Sequence, residues 1–310
     1  MLKICITGGS GFIGSHLLQA LEKKGVVPTI LGRNVSTKIE ELLSKDKVRF
    51  LKYDLASSAN PSLDSLDTFD ILIHLGGFVP RSIDRDDLEI GLRTNILGTC
   101  NLLTHRRFRK VIYASTLEVY GTPKTLPITE DQTTDPTSYY GTSKLAGEKY
   151  VSAISKQLGF DATILRFSSV YGSGEMYQRA IPNFIRRALQ NQPLIIRGDG
   201  SDMRDYVHVA DAVDSIMLAM EGRSGVYNIA SGVGYSIREI AEKILALTGN
   251  VVNISFESSS KPPTKLVFDI SKAKEQLNYK PKVSILEGLK EEIDWFRKML
   301  QGEFKDEHLS

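Results

Sequence analysis

The run Ile4-Cys5-Ile6-Thr7-Gly8-Gly9-Ser10-Gly11-Phe12-Ile13-Gly14-Ser15-His16-Leu17 constrains this chain most: an apolar strand passes through a glycine-rich turn into a helix. Such a turn is built to hold a pyrophosphate. Gly8 permits the tight exit from the strand, Gly11 lets backbone approach the phosphates, and Gly14 lets the helix pack closely on the sheet. Phe12 and Ile13 open that helix, where the amides face an anion. Glycines also punctuate ordinary turns. Context makes this one a dinucleotide cradle, because it lies directly between an apolar strand and the amphipathic run 12–24.

The same alternation continues through the first half. Residues 3–7, 26–31, 48–53, 69–75, 110–115 and 161–167 read as strands, with Pro28 removing a ladder donor from the second. Amphipathic helical stretches lie between them, notably 86–107 and 138–158. Strands alternating with helices imply right-handed crossovers and a parallel sheet covered on both faces, a doubly wound α/β Rossmann architecture with ligands at the carboxyl ends of its strands. In the second half, 180–191, 209–221, 236–248 and 285–299 read as helices and 226–229 as a short strand. The expected organisation is a dinucleotide-binding domain over 1–170, to which later segments return, and a smaller α/β lobe over 171–310 that covers the mouth of the sheet. A hydrophobic content of 41% over 310 residues supplies a core without disulfide staples.

Charge and cysteines exclude several function classes. A formal net charge of +2 gives no reason to expect a nucleic-acid or membrane partner, and the basic cluster Arg106-Arg107-Phe108-Arg109-Lys110 reads as a solvated helix end. Cys5 and Cys100 make neither a disulfide framework nor a metal site, which fits a reduced cytoplasm. The first residues carry no charged leader, and no apolar run reaches the ~18 residues of a membrane span, so a soluble, unprocessed cytoplasmic protein is expected. His16, His74, His105, His208 and His308 lack metal-ligand spacing and read as packed or solvated residues.

The second strand ends Leu31-Gly32-Arg33-Asn34, with Gly32 where a carboxylate would bind the adenosine ribose. Removing that charge and supplying Arg33 suits a 2′-phosphate, so NADP(H) is favoured over NAD(H); the alternative for Arg33 is an ordinary loop arginine. Asp54, closing the third strand, can accept a hydrogen bond from the adenine amine or cap a helix. Tyr140 and Lys144 are four residues apart on one helix face, where an ammonium lowers the phenol toward working pH, as an acid/base for an alcohol or ketone requires. Ser115 and Thr116 leave the end of the fifth strand, so their hydroxyls land at the same rim and can hydrogen-bond the substrate oxygen.

The glycine triplet, the hydroxyl-bearing strand end and Tyr-x-x-x-Lys, in this order, resemble the extended short-chain dehydrogenase/reductase family, specifically its nucleotide-sugar epimerase/dehydratase group. Similar stretches are 73–77, 94–99, 166–172, 198–209 and 269–274, so the resemblance spans nearly the whole chain. It implies that Tyr140 is the acid/base, that Lys144 lowers its pKa and binds the nicotinamide ribose, and that Thr116 orients the substrate hydroxyl. Leu55, Leu75, Gly76 and Phe167 would line the cofactor. Arg204 would hold the substrate diphosphate, with Arg81, Ser169, Arg197 and Asp269 as further substrate residues. The chain departs from dehydratases in Leu117, which replaces an aspartate, while Glu118 remains either to move a proton or to tie down its loop. Ser169 replaces an asparagine, and the usual Arg and Asp are absent from 258–265, where Lys261 or Lys265 can substitute.

These residues imply reversible hydride transfer at C4 of a nucleotide-diphosphate sugar, in a homodimer joined through helices 86–107 and 138–158. An NADPH-dependent 4-keto-sugar reductase is the leading reading, on Gly32 and Arg33. The alternative, a 4-epimerase, draws on the loop Val79-Pro80-Arg81-Ser82-Ile83. A reading of another class is a dinucleotide-sensing protein without turnover, which would have no need of Tyr140, Lys144 and Thr116.

Overall fold

The computed structural model describes residues 2–57, 60, 68–79, 85–104, 108–260 and 262–302. Its first half supplies strands β1 (Ile4–Thr7), β2 (Thr29–Gly32), β3 (Arg49–Lys52), β4 (Phe69–His74), β5 (Phe108–Thr116) and β6 (Asp161–Phe167). Between them run α1 (Phe12–Lys23), α2 (Thr37–Ser44), α3 (Arg85–Leu92), a π-helical turn (Arg93–Gly98), α4 (Thr99–Thr104), a 3-10 turn (Leu117–Tyr120) and α5 (Tyr139–Leu158). The second half adds β7 (Ser169–Tyr171), α6 (Ala180–Leu189), β8 (Leu194–Arg197), β9 (Met203–His208), α7 (Val209–Glu221) and β10 (Gly225–Ile229). It ends with β11 (Gly234–Ser236), α8 (Ile237–Thr248), β12 (Ile254–Glu257), β13 (Lys265–Leu266), α9 (Ser271–Leu277) and α10 (Ile285–Leu300).

Seven parallel strands form the main sheet in the order β10-β6-β5-β4-β1-β2-β3. The chain runs outward from β1 through β2 and β3, then returns to pair β4 on the other side of β1. That reversal opens a crevice at the carboxyl ends of β1 and β4, where an α/β sheet binds its ligands. All four residues of β1 are buried, as a strand covered on both faces requires. Ile4, Ile6, Leu17, Leu21, Ile30 and Ile73 belong to one core layer, and Cys5, Leu31, Leu72, Val111 and Tyr113 to another. The second lobe carries β11, β9 and β13 with β7 added on β9, and a separate β8–β12 pair. Its core joins Phe184 and Ile185 of α6, Ile240 and Ile244 of α8, and Leu289, Ile293 and Phe296 of α10.

Three sequence expectations are corrected. The strand expected over 26–31 begins at Thr29, because Val26 spends its N–H on Leu21 O at the end of α1 and Pro28 has none to give. The helix expected over 86–107 is divided by the π-helical turn, whose extra residue per turn brings buried Asn95 onto the β4 exit. Phe108 and Arg109 extend the strand expected over 110–115 rather than finishing a helix; Lys110 Nζ donates to Gly222 O, and Arg106 and Arg107 lie outside the described residues.

Candidate active site

The glycine turn is shaped for close approach. Gly8 has φ +72°, and a Cβ there would lie 2.7 Å from Gly76 N; a Cβ on Gly14 would lie 2.1 Å from Gly8 O. Neither position admits another residue without moving backbone. No side chain caps α1 at Gly11 and its first turn has no acidic residue, so the helix does not itself neutralise the positive end of its dipole. These features fit a dinucleotide pyrophosphate. A cleft of about 680 Å³ runs from this turn along the carboxyl ends of β1, β2, β4 and β5.

Gly8, Gly11, Phe12, Ile13, Gly14, Arg33, Asp54, Leu55, Leu75, Gly76, Lys144 and Phe167 all line that cleft. At the end of β2 Gly32 is held close to Phe50, whose ring carbon would sit 3.1 Å from an added Cβ. Asp54 lines the cleft and also acts locally, its Oδ1 accepting the Ala56 N–H at 3.0 Å, so it caps a turn as well as facing the site.

Tyr140, Lys144, Thr116 and Glu118 line the same cleft where β5 meets α5. Ser138 organises the junction. Its Oγ accepts the Gly141 N–H at 3.0 Å to cap α5 and donates to Glu118 Oε2 at 2.5 Å. Thr116 Oγ1 accepts the Glu118 N–H at 3.3 Å and caps the 3-10 turn. Glu118 therefore ties down its loop while remaining part of the cleft wall.

Burial governs the protonation of both Tyr140 and Lys144. Burial pushes the Tyr140 phenol well above its ordinary value, with Glu118 adding to the effect and the Arg179 guanidinium pulling against it. The same burial drives Lys144 down to about 7 against the pull of Glu148. Both groups favour their neutral forms, so moving the phenol proton needs positive charge close by. Lys144 Nζ lies 4.2 Å from the centre of the Tyr113 ring and beside Gly77 at the cleft rim.

At the other end Ser169, Val170, Tyr177, Arg179, Arg204 and Leu266 complete the wall. Arg204 is preset: Nη1 donates to Thr264 Oγ1 at 2.7 Å and Nη2 lies 3.4 Å from Asp202 Oδ1. A side hollow of about 250 Å³ shares Ser169, Arg179 and Arg204 and continues to Ile181, Tyr206 and Ile237.

Residues 4–230 match the profile of the NAD dependent epimerase/dehydratase family. The chain belongs to that family.

A UDP-N-acetyl-alpha-D-glucosaminuronate decarboxylase of Bacillus cytotoxicus is 34% identical over 96% of this chain and 99% of its own length. Among solved structures, UDP-glucose 4-epimerase of Thermotoga maritima with UDP-glucose is 31% identical with a TM-score of 0.88, over 96% of this chain and all of that one. UDP-glucuronic acid 4-epimerase of Bacillus cereus, with a fluorinated UDP-glucuronic acid and NAD, is 29% identical with a TM-score of 0.87 over the same shares. Both solved relatives are 4-epimerases, so the epimerase alternative is better supported than the reductase.

Two expected substrate residues of this epimerase/dehydratase chain lie elsewhere. Arg197 stands exposed at the end of β8, 3.7 Å from Glu257. Asp269 uses Oδ1 to accept the Ser271 N–H at the start of α9. Neither lines the cleft, and Arg81 lies outside the described residues. Sequence reasoning missed Tyr177 and Arg179, which sit in an irregular segment before α6 with no motif around them; Arg179 acts electrostatically on Tyr140. His74 is packed, as expected of it, with Nδ1 2.6 Å from Thr7 Oγ1 and Nε2 2.9 Å from Thr99 Oγ1.

Proposed function

We propose that the protein is an NAD-dependent nucleotide-sugar 4-epimerase acting on a UDP-sugar. The observation that carries this reading is the single cleft in which the glycine turn, the Thr116–Tyr140–Lys144 group and Arg204 follow one another. A bound nicotinamide supplies reversible hydride exchange with the sugar. The chain's own residues do the rest. Tyr140 accepts the proton of the sugar C4 hydroxyl and returns it after the keto sugar has turned over, while Thr116 orients that oxygen by a hydrogen bond. Lys144 contributes the positive charge that the buried phenol needs in order to ionise. Arg204, held by Thr264 and Asp202, grips the diphosphate so that the sugar ring can rotate without leaving.

The relatives' substrates and the NAD in the Bacillus cereus structure support this assignment. A second reading, the NADPH-dependent 4-keto reductase, draws on Gly32 and Arg33, both of which line the adenosine end. Incubation with UDP-glucose, UDP-galactose, UDP-glucuronic acid and UDP-N-acetylglucosamine tests the two. Interconversion of C4 epimers without net change in reduced nicotinamide supports the epimerase. Consumption of NADPH by a 4-keto sugar, with no epimer formed from any of the four, would replace it by the reductase. Release of carbon dioxide from the uronate would mark a decarboxylase.

A further inference from the structure

Behind the cleft, α5, β5 and β6 bring together one buried carboxylate, one buried guanidinium and the buried Lys144 amine. Lys144, Glu148 and Arg166 are 3%, 3% and 5% exposed, so none of their charges is offset by bulk water. Lys144 and Glu148 are four residues apart on α5, the spacing at which an ammonium and a carboxylate pair on a helix. They do not pair here. Arg166 takes Glu148 with both arms, Nε to Oε1 at 3.0 Å and Nη2 to Oε2 at 2.7 Å, and Ser115 Oγ donates to Oε1 at 2.5 Å. Arg166 is itself fixed from behind, its Nη1 donating to Tyr120 OH at 2.9 Å, and Tyr120 OH donating to Asn228 Oδ1 at 2.6 Å.

We propose that Arg166 is a positioning residue that consumes the Glu148 carboxylate and so leaves the Lys144 ammonium to serve the cleft. The inference rests on the reading of Lys144 as the partner of Tyr140. A bidentate guanidinium is the apt group for this, because it occupies both carboxylate oxygens in one plane, as a lysine cannot. The other groups facing Lys144 do not compete for it. His74 on β4 is held neutral by burial and by Lys144 itself, Tyr113 on β5 offers its ring face, and Tyr140 on α5 is the group to be served. Without Arg166, Glu148 would be a buried anion whose nearest available cation is Lys144, and the ammonium would be drawn away from the rim at Gly77.

The test reads Lys144 directly. In protein labelled with ¹³C at lysine Cε, the Lys144 resonance is assigned by its loss in Lys144→Met, and its titration is followed by NMR without substrate or cofactor. Arg166→Met is expected to move the Lys144 midpoint upward by about one pH unit or more, since Glu148 then stabilises the ammonium. Arg166→Met combined with Glu148→Gln is expected to bring it back to within about 0.3 unit of wild type. An unchanged midpoint in Arg166→Met, or a double variant displaced as far as the single one, overturns the proposal in favour of a purely structural role. If circular dichroism shows Arg166→Met unfolded, Ser115→Ala takes its place. It removes one donor from Glu148, and an upward move of about half a unit is expected, with no move overturning the proposal. Because no sugar is turned over, failure of the epimerase reading leaves this outcome intact.

Discussion

Burial places a stability cost on Lys144, whose amine is driven down to about 7 by desolvation. An amine held at about 7 in the folded chain, against an ordinary 10.5, binds fewer protons folded than unfolded between those values. Stability therefore rises as pH increases from about 7 toward 10.5, and the whole penalty is felt below 7. Lys144→Met should stabilise the protein by about 2–4 kcal/mol at pH 6, with the gain vanishing above about pH 10.5, in urea melts across that range. A variant no more stable at pH 6 than at pH 10.5 would show that Lys144 is not held neutral by burial. Tyr140→Phe keeps the ring and removes only the acid/base hydroxyl, so kcat should fall by about 10²- to 10⁴-fold. Dinucleotide affinity, read by calorimetry, should stay within about threefold, since the pyrophosphate cradle is elsewhere. A dinucleotide sensor would instead retain full function in this variant.

Elements were legible in the sequence where a period persists over several turns, and illegible where a tertiary contact sets the local geometry. Residues 161–167 and 209–221 are a strand and a helix with the expected bounds, and α1 and α5 each lose one residue from an expected end. The second lobe's strands escaped because they are two to six residues long, and β9 carries Arg204, Asp205 and His208 in place of an apolar run. Arg197 drew attention because it precedes the glycine turn Gly198-Asp199-Gly200, yet that turn closes a β8 tip outside the cleft, while Arg179 has no such signature. The π-helical turn is the most consequential miss. It seats Asn95, whose Oδ1 accepts the Phe78 N–H at 2.7 Å and whose Nδ2 donates to Phe78 O at 2.8 Å and Ser143 Oγ at 2.9 Å. Asn95→Ala would leave the Phe78 amide without its partner at the cleft rim. Destabilisation of about 2–3 kcal/mol is expected in urea melts, with KM for the dinucleotide raised more than KM for the sugar. Equal changes in the two KM values would mean that the clamp supports the fold as a whole rather than the cofactor rim.

Across the whole molecule, the cleft is assembled from segments far apart in the chain: residues 7–56 line one end, proposed for the dinucleotide, and residues 169–266 line the other, proposed for the diphosphate. Ligand binding at either end adds stability by mass action, about 2.7 kcal/mol at a hundredfold excess over Kd, so each end can be read separately from the shift it gives in Tm. Arg204 is the residue through which the two readings should part. Asp202 Oδ1 already accepts from Thr264 N and Oγ1, both at 2.9 Å, so the loop that carries the guanidinium keeps its own bonds when the charge is removed. Arg204→Met should therefore fold normally, retain the Tm shift given by NAD, and lose most of the shift given by UDP. If the UDP shift survives intact, the diphosphate is held elsewhere in the cleft, and Arg179, which lines the same cleft and the side hollow, becomes its anchor.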